Sequence, residues 1–536
     1  MNLRRPLLAA ISIALLAVLA RAEDWYVDAV HGSDSNPGTA PSQVWRTITC
    51  AVANVPMVGI QRVFVAAGRY DEALGEQFPI YMRSKLQLIG AGPATTEIVN
   101  NLPPTPAPSE IHAGVINCLS DWEAPNPNIT PGTVLAGFRI TSTRDPYALH
   151  YPPIGVWMNC YTGRCDLELR DLAIDSMAWG LRLDGFARIE MSRVNLRRNG
   201  VGLYLADYGN CTASELTVVD NYFGIYYVGH GGATTAVTIS RSRIEGNRSR
   251  GIIAGAQSYG FLHPGRMQLK VSDSVIAHNT GTNYGEAAVS LGADEYGRGE
   301  ARFERCSIVD NDRGVYIYGG IATGLDSCLL QNLGEDLDGW PMVRARFSNI
   351  SDGDFVGLDG NISAPVLFVD AAHGDYRLQF DSPGIDAGNP ATGAGTRDYL
   401  GTLRSIDGDL DTIERTDIGA FEFAPLFRRG SGRIGTTLEL ECWGPVGGIA
   451  NIQFSRKPLV SAPLSTPFGQ LDLDPMNIGP LGVSAVGQSA PVIFQHPIPN
   501  TPSLIGHTFS FQARTTSPIA PSGSAYTNGV QFTVLP

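Results

Sequence analysis

The chain has 536 residues, a formal net charge of −13 and 17% charged side chains, well below the roughly 25% of ordinary globular domains. Lysine occurs only at Lys85, Lys270 and Lys457, so there is no basic footprint for nucleic acid and none for adhesion to anionic lipid. The positive side chains are nearly all arginines, whose planar fork suits carboxylate, sulfate or phosphate.

Arg4 and Arg5 precede the apolar run Leu7 to Leu19 and then Ala20-Arg21-Ala22, the pattern of a signal peptide with a small-x-small cleavage site. Residues 1–22 are therefore expected to be removed, leaving Glu23 as the first mature residue of a protein exported to the cell surface or beyond. Loss of Arg4, Arg5 and Arg21 takes the formal charge from −13 to −16. No second apolar run is long enough to span a membrane. Eight cysteines in an exported chain permit disulfides without making the fold depend on them. Cys160 and Cys165 are the expected pair, closing a turn at Tyr161-Thr162-Gly163-Arg164. Cys306 and Cys328 lie 22 apart, and a bridge or a reduced buried stack fits that spacing equally.

The opening Trp25-Tyr26-Val27-Asp28, Gly32-Ser33-Asp34-Ser35-Asn36-Pro37-Gly38-Thr39, Trp45-Arg46-Thr47-Ile48 and Val63-Phe64-Val65-Ala66-Ala67-Gly68-Arg69-Tyr70 resembles the N-terminal domain that begins many secreted bacterial β-helix proteins. The resemblance covers residues 24–100 and implies that they form the first coils, with a structural job for Asp28 and Asp34. Residues 101–133, rich in proline, read as an excursion from the coil.

Between Val194 and Asn332 one phrase repeats: an aliphatic residue, two others, an asparagine, then a glycine-led apolar strand. Leu196, Asn199 and Gly202-Leu203 give one copy, Val218, Asn221 and Gly224-Ile225 the next, and Asn247, Asn279 and Asn311 continue it. Periods of 22 to 32 residues mark a solenoid. The alternation in Ile189/Met191, Leu203/Leu205, Val237/Ile239 and Leu269/Val271 makes its elements strands. Coils stacked at about 4.8 Å would place like residues in ladders, and a column of asparagine amides would partner the backbone of each buried turn. The fold class is an all-β, right-handed parallel β-helix over residues 23–425, with opening coils 23–100, regular coils 134–369 and a closing segment 370–425.

In that closing segment, Asp375-Tyr376-Arg377-Leu378, Ser382-Pro383-Gly384-Ile385-Asp386-Ala387-Gly388, Asp398-Tyr399-Leu400-Gly401, Arg404-Ser405-Ile406-Asp407-Gly408-Asp409 and Asp417-Ile418-Gly419-Ala420-Phe421-Glu422 resemble the choice-of-anchor Q segment that ends the β-helix of many exported bacterial proteins. Residues 426–536 then show separated alternating strands joined by Pro, Gly and Ser, which predicts a small C-terminal β-sandwich-like domain.

The residue between the two inward aliphatics of each coil strand points away from the core. Trp157, Arg182, Tyr204, Tyr226 and Tyr316 hold these places, interrupted by Ile253 and Ser290. Such a stripe is a candidate ligand-binding groove for a polysaccharide, because sugar rings present apolar C–H faces to aromatic platforms; plain strand propensity explains the tyrosines as well. An anionic glycan would need an arginine cluster or calcium to overcome net repulsion, and a neutral one would not. At the edge of the stripe Asp184, Asp207 and His230 follow one another at intervals of 23 residues. Two carboxylates and an imidazole on neighbouring coils are a candidate catalytic set for a glycosidic or uronate bond, or else turn residues beside Gly185, Gly209 and Gly229.

Gly229-His230-Gly231 is similar to the glycine-histidine-glycine of polygalacturonases, but Arg243-Ile244-Glu245 departs from that family's Arg-Ile-Lys, so catalysis is not carried over. Lys270 faces outward without the aspartate cluster that β-helix pectate lyases require. Asp407, Asp409 and Asp411, with Asp417 six residues on, alternate as metal ligands for calcium do. Thr412 and Ile418 stand where an EF-hand needs glycine and glutamate, which leaves a smaller calcium turn or solvated turn aspartates.

The expectation is thus a monomeric exported protein that binds a polysaccharide or cell-surface glycan and requires no cofactor, calcium being the one ion its motifs could take. Polysaccharide cleavage, as a lyase or glycoside hydrolase, and a passive structural or adhesive role are the alternatives.

Overall fold

The structure is a computed structural model that describes residues 22–101, 114–119, 129–143, 153–207, 209–231, 234–258, 264–281, 286–339, 342–486 and 491–536. The predicted signal peptide and most of the proline-rich stretch 101–133 lie outside them. Among the described residues no helix is long and apolar enough to cross a membrane. The chain divides into two compact units, one of residues 1–303, 308–324 and 331–344, the other of 304–307, 325–330 and 345–536.

The first unit is a right-handed parallel β-helix. On its first face, strands Val201–Ala206, Phe223–His230, Ile252–Gln257, Val289–Ala293 and Val315–Tyr318 pair in parallel, each with the equivalent strand one coil later. Leu181, Leu203, Ile225, Ile252, Val289, Val315 and Leu337 stand in one register column, all of them buried. That column is one line of the core. It forms because alternation sends every second side chain inward and each coil repeats the choice. The stretch 101–133 is not wholly an excursion, since Gly114–Leu119 is a buried strand paired with Ile80–Tyr81 and with the start of Ile154–Asp175.

The asparagines make the expected ladder. Asn199 donates its backbone N–H to Asn221 Oδ1 at 2.9 Å, and Asn221, Asn247, Asn279 and Asn311 each donate both backbone and side-chain N–H to the Oδ1 of the next rung, ending at Asn332. Asn332 passes the pattern to Asp336 Oδ1, at 3.0 Å from its backbone N and 2.7 Å from its amide. An acceptor-only group ends a chain of donors without leaving a spare N–H. The glycine that opens most of these strands has a packing cause, although Ala288 holds the place in the coil after Asn279. A Cβ on Gly224 would sit 2.4 Å from the Gly251 carbonyl oxygen and 3.0 Å from the Asn247 amide, so any side chain there would push the coils apart.

In the opening coils, Asp34 accepts from the backbone N–H of Arg46 and Thr47 and from the Thr47 hydroxyl. Asp28 accepts from the N–H of Val30 and His31. Both are turn caps. Buried Glu76 takes the N–H of Ile48 and Thr49 at the start of the helix Ile48–Asn54, where a negative charge meets unpaired donors.

The second unit holds the closing segment and an antiparallel C-terminal β domain. Leu426–Arg429, Thr437–Cys442 and Val492–Pro497 form one sheet; Ile449–Ser455, Ile478–Ala485, Thr508–Thr516, Ser524–Tyr526 and Val530–Thr533 form another. Leu438, Leu440, Ile452, Phe511 and Phe532 share the core between them. The closing segment is held by buried polar pairs: Arg404 to Glu422 at 3.3 Å, both side chains fully covered, and Asn389 to Asp326 and Ser327.

Candidate functional site

The outward column of the first face contains Trp157, Arg182, Tyr204, Tyr226, Ile253, Ser290 and Tyr316 in exact sequence of coils. Its members differ in environment. Trp157 does not face solvent: it is 2% exposed, its indole N–H donates to Asp184 Oδ2 at 2.8 Å, and the Arg182 guanidinium lies 5.3 Å from its ring centre. The same guanidinium is 5.1 Å from Trp179 and 5.8 Å from Tyr204, while its Nε donates to Asp184 Oδ2 at 2.9 Å. A cation enclosed by three π faces and a carboxylate is satisfied internally.

Tyr204 and Tyr226 are half-buried, and their ring centres are 5.6 Å apart on neighbouring coils. Phe223 meets Tyr226 edge-on at 6.4 Å, and the exposed Tyr222 meets Phe223 at 4.7 Å. Together they make an aromatic patch. Tyr316 lies beyond the gap at Ile253 and Ser290, beside Tyr318 at 5.9 Å, and forms a separate small platform.

At the end of the same strands the three expected polar residues fall close together. Asp207 follows Val201–Ala206 in the left-handed region, with φ +66, which an aspartate tolerates better than most residues. His230 closes Phe223–His230, and its Nδ1 is 2.9 Å from Asp207 Oδ1. The Tyr161 hydroxyl donates to Asp207 Oδ2, and His230 Nε2 is 3.0 Å from Gln257 Oε1. With both ring nitrogens facing acceptors, the imidazolium form is favoured. The hydrogen bond to Asp207 accordingly raises the His230 pKa against the opposing effect of burial. Burial works against the Asp207 charge too, but the bonds from His230 and Tyr161 outweigh it and leave the pKa lowered. Asp184 goes the other way: burial raises it, Arg182 and Trp157 oppose, and the Asp207 charge adds to the rise. Two carboxylates with pKa values displaced in opposite directions are what acid and base roles need. Asp184, however, is only 4% exposed and lies behind Trp157 and Arg182.

Tyr161 reaches Asp207 because of a bulge. Cys160 pairs with Gly185 and Cys165 with Ala187, so the strand carries extra residues there, closed by the Cys160–Cys165 disulfide with Cα atoms 6.0 Å apart. Cys306 and Cys328 are buried and unbridged. Trp179, Phe223, Tyr161 and Gln257 were not singled out from the sequence. For Trp179 and Phe223 a signal existed: each immediately precedes the glycine that opens its coil strand, and the two share a register column with Val201.

The aspartates expected to hold a metal separate in the structure. Asp407 and Asp409 come together with Asp386, each offering a carboxylate oxygen within 4.8 Å of the others. Asp411 instead pairs with Arg415 at 3.0 Å, and Asp417 accepts from the backbone N–H of Asp386 and Phe423. Burial, reinforced by neighbouring carboxylates, pushes Asp386 up to about 8 and Asp407 up to about 7.

Several solved structures are similar in fold. Pectate lyase Pel9A is 13% identical, with 75% of this chain and 97% of that chain covered and a TM-score of 0.43. Pectin methylesterase PemA from Erwinia chrysanthemi is 10% identical, covering 49% and 81%, with a TM-score of 0.33. DFA-IIIase from Arthrobacter chlorophenolicus A6 is 12% identical, covering 64% and 99%, with a TM-score of 0.34. No curated protein matches the chain. Residues 30–311 match the model of the family described as "Protein of unknown function (DUF1565)", and the chain belongs to that family.

Proposed function

We propose that this protein binds a polysaccharide along the outward column of its first β-face, outside the cell or at its surface. The observation that carries the reading is the Tyr204–Tyr226 pair, two partly open rings at 5.6 Å on successive coils, extended by Phe223 and Tyr222. Such a row offers successive sugar rings an apolar platform at little entropic cost. The glycan is neutral or weakly charged. Arg182, the cation of the column, is already taken up by Asp184 and three aromatic rings, and the whole chain is acidic. A glycan array probed with the full chain, at low and at high salt, tests this: retention on neutral glycans that is insensitive to salt is expected, and retention confined to polyanions or absent altogether counts against it.

The Asp207–His230 pair favours one second reading, cleavage of the bound chain. Asp207 would act as the base, released from Tyr161 or His230 when substrate enters, with His230 as the proton donor. Reducing-end and unsaturated-product assays on the retained glycans test it, with Asp207→Asn expected to abolish product while sparing retention.

A further inference from the structure

We infer that the closing segment holds a calcium ion between Asp386, Asp407 and Asp409. Asp386 and Asp407 are each 8% exposed, yet Asp386 Oδ1 and Asp407 Oδ1 accept no hydrogen bond among the described residues. Their other oxygens are engaged. Asp386 Oδ2 accepts from the N–H of Gly408 and Asp409 at 2.8 Å each, and Asp407 Oδ2 accepts from Thr412 N–H at 2.9 Å. These bonds fix the carboxylates, which leaves the bare oxygens as buried acceptors with no donor, an arrangement that is costly unless something positive lies between them.

Two arginines of the closing segment pair with other carboxylates, Arg404 with Glu422 and Arg415 with Asp411, although the Arg415 charge also reaches Asp386 and Asp409. Neither guanidinium bonds the two bare oxygens, and a compact cation between them would give them a direct partner. Three carboxylate oxygens within 4.8 Å of one another fit around an ion whose oxygen ligands lie at about 2.4 Å, and an all-oxygen set suits calcium rather than zinc or copper. Water would complete the shell.

The ligands come from two separated stretches, the turn at Asp386 and the loop 407–412, so the ion would clamp one to the other. Leu410 of that loop is wholly buried with Ala520 and Ala525, and its carbonyl accepts from the Ser517 hydroxyl at 2.8 Å. The clamp would therefore also order the loop's attachment to the C-terminal β domain within the second unit.

Calorimetric titration of CaCl2 into the EDTA-treated full chain, with MgCl2 as control, tests the inference. One calcium per chain is expected, with a Kd of about 10⁻⁴ M or tighter, a weaker response to magnesium, and an unfolding temperature that rises on adding calcium. Asp386→Asn and Asp407→Asn should each weaken binding at least tenfold, while Asp411→Asn, outside the ligand set, should keep it within about threefold. Should the first two variants fail to fold, amide exchange in the wild-type chain decides: calcium must slow exchange at 386 and at 407–412. No calcium uptake, undiminished uptake by the Asp386 or Asp407 variant, loss of uptake by the Asp411 variant, or unaltered exchange in that loop would overturn it.

Discussion

His230 Nδ1 lies 2.9 Å from Asp207 Oδ1, one coil away, and the two groups shift each other's titration in opposite senses. His230 is raised, so its contribution to stability is complete below the ordinary value of 6.5 and is lost as pH climbs through the folded value. Asp207 is lowered, so its contribution is complete above 3.8 and is lost as pH falls through the folded value. The pair is strongest between 3.8 and 6.5. An NMR titration of labelled histidine should place His230 above 6.5 and show it falling back on Asp207→Asn. An unshifted His230 in both proteins would remove the pair from the account.

Asn247 is buried at the centre of the ladder, where it accepts two N–H bonds from Asn221 and donates its amide to Asn279 and to the Val218 carbonyl. Asn247→Ala strands several of these groups, and denaturant unfolding should show a loss of about 3 kcal/mol. Gly224→Ala should cost about 1–3 kcal/mol through overpacking against the Gly251 carbonyl. Neutral results at both positions would contradict a stacked solenoid.

The Cys160–Cys165 bridge closes a short bulge that positions Tyr161 on Asp207. Replacing both cysteines by serine should lower stability by about 2 kcal/mol, the loop-closure value for so small a ring. It should also move the His230 titration, since a freed Tyr161 no longer holds Asp207. Thermal unfolding and the same NMR titration measure the two effects, and an unmoved His230 would disconnect the bulge from the pair.

Arg404 and Glu422 are paired with no exposure of either side chain. Arg404→Met leaves Glu422 buried and uncompensated, and a loss of about 3–5 kcal/mol is expected in denaturant unfolding. A loss under about 1 kcal/mol would mean that the pair is dispensable to the closing segment.

What the sequence revealed and what it concealed divide along one physical line. Repetition was legible: the asparagines at fixed offset announced the coil, and the alternation around Leu203 and Leu205 announced its core, because a solenoid writes its third dimension as a period. The neighbourhood of Asp207 and His230 followed from the same spacing. Accessibility was not legible. Trp157 occupies an outward position yet is covered, because Arg182 of the next coil folds back onto it to reach Asp184, and only side-chain geometry shows that. The aspartate cluster was legible only in part, at Asp407 and Asp409. Alternation pointed to Asp407, Asp409 and Asp411, with Asp417 six residues on, whereas the closing segment is not periodic, and Asp386 arrives from 21 residues before Asp407.

The central claim is that Tyr204 and Tyr226 form a platform for a neutral polysaccharide. Its most direct measurement is retention on one glycan array of the wild-type chain and of the Tyr204→Ala/Tyr226→Ala variant, side by side. The account predicts that retention falls at least tenfold, as loss of two stacking contacts of about 1 kcal/mol each requires, with the unfolding transition still cooperative. Equal retention by the two proteins would contradict it.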